Sequence, residues 1–122
     1  MERIEIENRL IDYAVEIIGY TKRFNQDFVC EHLAKQIIRS STSAALNYGE
    51  SQGAESYNDF IHKISIVLKE LRETFICLRI INKSKLSSEL GKSDFLIKEG
   101  NELISIFHKS VDTAKKRKKS KL

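Results

Sequence analysis

The sequence predicts an all-α fold, an antiparallel up-down-up-down four-helix bundle, and three observations carry that prediction. Apolar residues recur in alternating steps of four and three through four long segments, the seam spacing of helices packed nearly parallel. No segment alternates with the period of two that a half-buried strand requires. Proline is absent and glycine occurs only five times in 122 residues, so little interrupts helices of roughly 20 residues or more. At this length and 41% apolar content, the chain is one domain and can bury a core without staples.

The first helix spans about Ile4 to Phe24, with Ile6, Leu10, Tyr13, Ile17, Tyr20 and Phe24 as its seam and Asn25 as a left-handed C-cap. The second runs from about Phe28 to Ser51. Its inner face is Cys30, Leu33, Ile37, Ser41, Ala44 and Tyr48, its small residues (Ser40, Ser41, Ser43, Ala44, Ala45) permit close approach of a neighbour, and Gly49 and Gly53 end it. The third has the longest seam, Tyr57, Ile61, Ile64, Leu68, Leu71, Phe75, Leu78 and Asn82. Ser56 and Asp59 form a capping-box-like start, because hydroxyl and carboxylate satisfy free amides of a first turn. Residues 82–92 read as a turn. The fourth helix begins at Ser93 or Asp94 and ends near Ala114, with Leu96, Gly100, Leu103, Phe107 and Ser110/Val111 inward. This divides the chain into a bundle over 1–114 and a basic, disordered tail over 115–122.

These helices carry more apolar surface than one core covers. Ile4, Ile11 and Ile18 make a second stripe on the first helix, Ile66, Ile76 and Ile80 on the third, and Ile97, Ile104 and Val111 flank the fourth seam. Repeated outer stripes mark a subunit contact, so a homo-oligomer is expected.

The net charge of +4 is local. Of 21 Lys and Arg, six lie in residues 115–121 with no acid among them; the other 15 stand against all 17 Asp and Glu. The basicity is therefore a tail, and Lys115, Lys116, Arg117, Lys118, Lys119 and Lys121 are the candidate phosphate contacts, with Lys83 and Lys85 as auxiliaries. The competing reading is a solubilising end. Cys30 and Cys77 are far apart, outside any CxxC, and read as reduced, buried thiols. Neither a signal peptide nor an apolar run of about 18 residues is present, so a cytoplasmic protein without a membrane partner is expected.

Catalytic chemistry finds no support. A di-metal bundle needs two inward Glu-x-x-His pairs; the nearest match, Asp59-x-x-His62, stands alone on the outer face. No phosphate loop follows a strand, and no serine sits in a Gly-x-Ser-x-Gly elbow. The expectation is no enzyme, no metal, no cofactor and no small-molecule substrate. Glu70 and Glu73, beside Lys69 and Arg72, read as an ordinary solvated surface.

One polar set remains. Gln36, Arg39, Ser43, Asn47 and Glu50 are spaced three, four, four and three, which places them on one helix face where Arg39 can bond Ser43 and Asn47 neighbours Glu50. They are either a solvated face or a network at a helix–helix or subunit contact, where arginine and carboxylate must pair. The run from Gln36 to Glu50 resembles the Q-x-x-R-x-x-x-S-x-x-x-N-x-x-E signature of the four-helix bundle proteins encoded in 23S rRNA intervening sequences, also called S23 ribosomal proteins. The likeness covers about residues 5–112. It departs at Ala45, where many members have proline, and at Ser51, where many have glycine. The resemblance implies a homo-oligomer, a pentameric ring like the related accessory variability protein of diversity-generating retroelements, with no catalysis and an association with RNA or DNA. The function expected is thus a nucleic-acid-associated accessory protein; the alternative is a protein-interaction scaffold with no nucleic-acid role. No aromatic stacking platform is evident in the sequence, so any binding would be sequence-tolerant.

Overall fold

The structure is a computed structural model that describes residues 1–120, apart from the Leu90 side chain. Four helices account for most of it: α1 (Arg3–Thr21), α2 (Phe28–Ser51), α3 (Tyr57–Lys83) and α4 (Leu90–Ser120). No strand occurs among the described residues. Each helix packs against its neighbour in sequence and α4 returns to α1, while among the described residues the backbones of the diagonal pairs α1/α3 and α2/α4 stay apart. Short turns and this cyclic adjacency give the up-down-up-down bundle.

Local chemistry sets the boundaries. Asp27 caps α2, its Oδ1 accepting the Cys30 N–H at 2.8 Å, and Ser56 caps α3, its Oγ accepting the Asp59 N–H at 3.0 Å. The Asp59 carboxylate accepts from the Glu55 N–H at 3.3 Å, so the box closes one residue earlier than a regular one. Asn25 is not a left-handed cap. Among the described residues the one non-glycine with positive φ is Lys85, at 55°. There the Leu86 N–H bonds the Ile81 carbonyl (3.2 Å) and the Lys85 N–H the Asn82 carbonyl (3.2 Å), the paired bonds that close a helix around a left-handed residue. α1 instead stops at Thr21, and the Arg23 and Phe24 amides bond back in tighter turns to Tyr20 and Thr21.

The core contains the expected seams of α1, α2 and α4: Leu10, Tyr13, Ile17 and Tyr20; Cys30, Ile37, Ala44 and Tyr48; Leu96, Leu103, Phe107 and Val111. Val111 is therefore a core residue and not part of an outer stripe. On α3 the buried residues are Ile64, Val67, Leu68, Glu70, Leu71, Thr74, Cys77, Leu78 and Ile81. Of the expected seam Ile64, Leu68, Leu71 and Leu78 are buried, Thr74 and Ile81 are buried in place of Phe75 and Asn82, and Asn82 and Tyr57 are exposed. α3 lies between α2 and α4 and needs a broad buried face, which a single seam underestimates.

Polar atoms lock the core at fixed points. Tyr13 Oη donates to the Leu96 carbonyl at 2.9 Å, Tyr20 Oη shares a proton with Ser93 Oγ at 2.6 Å, and Ser40 Oγ with Thr74 Oγ1 at 2.5 Å. Ser93 is consequently inside α4, which starts at Leu90. No buried side-chain nitrogen or oxygen among the described residues lacks a partner.

Candidate functional site

The polar set on α2 divides into separate units. Arg39 does not bond Ser43. Its guanidinium crosses to α3, where Nη1 donates to Glu70 Oε2 at 2.8 Å and Nη2 pairs with Glu73. Glu70 is 3% exposed, so the surface the sequence suggested is a buried carboxylate held by an arginine from the next helix. Burial of that carboxylate makes the pairing obligatory, because an unpaired buried charge is far costlier than a solvated one. Asn47 Nδ2 donates to the Ser43 carbonyl (2.9 Å) and to Ser43 Oγ (3.1 Å), a contact within one helix. Glu50 lies 3.5 Å from Lys63 Nζ on α3. Gln36 lines a shallow groove with His32, Leu33, Arg72, Glu73, Ile76 and Ile80. Arg39 and Glu50 thus clasp α2 to α3, and Ser43 and Asn47 brace α2 itself.

The basic residues lie on α4. The helix does not end near Ala114: Lys115, Lys116, Arg117, Lys118 and Lys119 occupy its continuation to Ser120, and all five are exposed. Lysine and arginine are good helix formers, no proline or glycine intervenes, and cations at a helix C-terminus complement its dipole. Lys121 and Leu122 lie outside the described residues. One carboxylate engages the run, Asp112, 3.0 Å from Lys116. Arg117 also lines a broad groove of about 730 Å³, with Met1, Ile6, Tyr57, Phe60, Ile106, Lys109 and Thr113. That groove sits at the end of the bundle where α1 and α3 begin and α4 leaves the core.

The outer apolar residues are exposed as expected at Ile4 (58%), Ile11 (46%), Ile76 (50%) and Ile80 (47%), while Ile18, Ile66, Ile97 and Ile104 are half-buried. Phe28, Val15, Leu46 and Phe95 add exposed surface that periodicity did not single out. Cys30 and Cys77 are free and buried. Desolvation pushes both thiols above their ordinary pKa, with the Asp27 carboxylate adding to the effect at Cys30. Among the described residues no three His, Cys, Asp or Glu side chains gather as metal ligands, and no helix is long and apolar enough to cross a membrane.

The model of the 23S rRNA-intervening sequence protein family matches residues 2–109. The chain belongs to that family. A solved structure from Bacteroides thetaiotaomicron, a protein of unknown function from the S23 ribosomal protein family, is similar over 92% of this chain and 99% of its own, with 26% identity and a TM-score of 0.81. No curated protein matches the chain. The family match ends at residue 109, before the basic end of α4.

Proposed function

We propose that this protein is a non-catalytic homo-oligomer, a pentameric ring in the form the family resemblance implies, that associates with RNA or DNA through the basic end of α4. The observation that carries the nucleic-acid reading is a run of exposed cations on a helix projecting past the last buried residue, Ala114, from a body with a slight acidic excess. Such a body repels phosphate weakly, while the run attracts it; several runs on one oligomer multiply the effect. Assembly is supported by the exposed Ile4, Ile11, Ile76, Ile80 and Phe28 side chains.

The test deletes residues 115–122. For every phosphate that the run neutralises, its removal should flatten the slope of log affinity against log salt by about 0.9 on duplex DNA, and no particular sequence should be spared. A truncated protein with the full-length slope would remove the tail from the reading. Full-length protein that binds no nucleic acid at low salt would remove the reading itself and leave the interaction scaffold.

A further inference from the structure

We propose that the groove between the start of α3 and the end of α4 is a single-strand site, in which an unpaired base stacks on Tyr57 while Lys109 and Arg117 hold the flanking phosphates. This deepens, and rests on, the nucleic-acid reading above. The sequence hides the site, because its two walls are about 50 residues apart and only the fold brings them together.

One wall is aromatic. Tyr57 and Phe60 stack with ring centroids 5.9 Å apart and planes 24° from parallel, and the Tyr57 residue is 38% exposed. The opposite wall is one ridge of α4, where Lys109, Thr113 and Arg117 follow at steps of four residues. The two cations are thus about 12 Å apart along the helix axis. Met1, Ile6 and Ile106 complete an apolar floor, and among the described residues no carboxylate lines the groove. At about 730 Å³ it is large enough for a nucleoside, since sites for small organic molecules run from roughly 300 to 1,000 Å³.

Charge selects the occupant. Two other apolar grooves mix both signs of charge: Glu73 and Arg72 beside Ile76 and Ile80, and Asp12, Glu16 and Glu99 with Arg9 beside Val15 and Phe95. Among the described residues the charged side chains lining the α3/α4 groove are cations only, and the basic run continues directly from Arg117 through Lys118 and Lys119. A flat apolar face joined to a track of positive charge is what strand binding without base pairing uses, because every base has a π-face and every nucleotide a phosphate. A duplex cannot use the aromatic wall, its bases being already stacked.

The experiment measures fluorescence anisotropy of a labelled single-stranded oligouridine and of a blunt duplex of equal length against the full chain and its variants. Tyr57→Ala should weaken single-strand binding by about 5- to 150-fold, the span for loss of one stacked base. Its salt slope and duplex affinity should not change. Tyr57→Phe should bind as the parent does, and unchanged thermal melting of both variants would show that the fold is intact. Because the chain has no tryptophan, Tyr57→Trp supplies a single reporter whose emission should be quenched by the single strand and not by the duplex. Equal weakening on strand and duplex, or no weakening by Tyr57→Ala while deletion of 115–122 still flattens the salt slope, overturns the stacking site and leaves the electrostatic reading standing. No binding of either nucleic acid by the full chain overturns both and gives the groove to a protein partner.

Discussion

Gly100 is the position at which α4 tolerates α1. A Cβ added there would lie 2.5 Å from Tyr13 Oη and 3.3 Å from its Cζ, inside van der Waals contact. Tyr13 cannot swing away: it is 2% exposed, and its hydroxyl donates to the Leu96 carbonyl one turn earlier on α4. Gly100→Ala must therefore push the ring into a packed core, at about 1–3 kcal/mol for overpacking. It must also stretch or break the hydrogen bond, worth about 0.5–1.5 kcal/mol. Alanine's better helix propensity returns about 1 kcal/mol. The net expectation is a loss of about 1–3 kcal/mol, read as a lower urea midpoint with unchanged slope by far-UV circular dichroism at fixed protein concentration. The decisive control is the same change in a Tyr13→Phe background. Without the hydroxyl the nearest atom is the ring carbon at 3.3 Å, so Gly100→Ala there should be neutral or stabilising, giving a coupling of at least about 1 kcal/mol. An equal loss in both backgrounds, or a gain in the parent, would refute the notch as the reason for glycine.

Further tests address the α2–α3 clasp, the register of α3 and the buried hydroxyls and thiols. Arg39→Ala should cost about 1–3 kcal/mol by leaving the Glu70 carboxylate buried with only Lys69, at 3.9 Å, nearby; adding Glu70→Leu should recover most of it, and a loss that persists would show that the arginine acts elsewhere. Ile81→Ala should cost about 2–5 kcal/mol in chemical denaturation and Asn82→Ala should cost less, an order of effect set by the full burial of Ile81 in the core. Burial raises the pKa of Tyr13, with Glu99 adding to it, and of Tyr48, Cys30 and Cys77. The unfolded chain releases these protons first, near the ordinary values of 9.0 for thiols and 10.0 for phenols. Stability should therefore be full below about pH 9 and fall progressively above it; a melting temperature that held level or rose through pH 11 would contradict the burial of these groups.

The bundle was legible because its evidence is periodic and local. The seams of α1 and α4 needed only apolar spacing, and the cap at Ser56 only residue chemistry at a helix start. What escaped depended on contacts between distant segments. Thr74 looks like a break in the α3 seam until Ser40 arrives from α2 to share its proton. Glu70 looks like surface, since carboxylates are almost never buried unpaired, and its partner lies 31 residues away. Ser93 reads as a helix start because serine favours caps, yet it turns inward to Tyr20. The helical state of residues 115–120 was missed for a different reason. Apolar periodicity stops at Ala114, and a charged helix past the end of a core gives no seam to detect.

That division also separates what holds α4 from what α4 presents. Its first half is bound to α1 by a series of polar contacts: Lys92 with Glu16, Ser93 with Tyr20, Leu96 with Tyr13, and Arg9 with Glu99 through two bonds of 2.6 and 3.1 Å, while Arg23 and Glu89 (2.8 Å) join the segments just outside the two helices. Its second half meets the bundle through Phe107, which stacks edge-on to Tyr48 at 5.5 Å, and through Val111 and Ala114. Beyond Ala114 no described residue is buried. A helix pinned at one end and apolar-packed in the middle can carry a charged extension whose direction the core dictates and whose loss the core does not register. Deleting residues 115–122 should accordingly leave the unfolding midpoint almost unchanged, so that any fall in nucleic-acid affinity belongs to the missing cations and not to a loosened bundle.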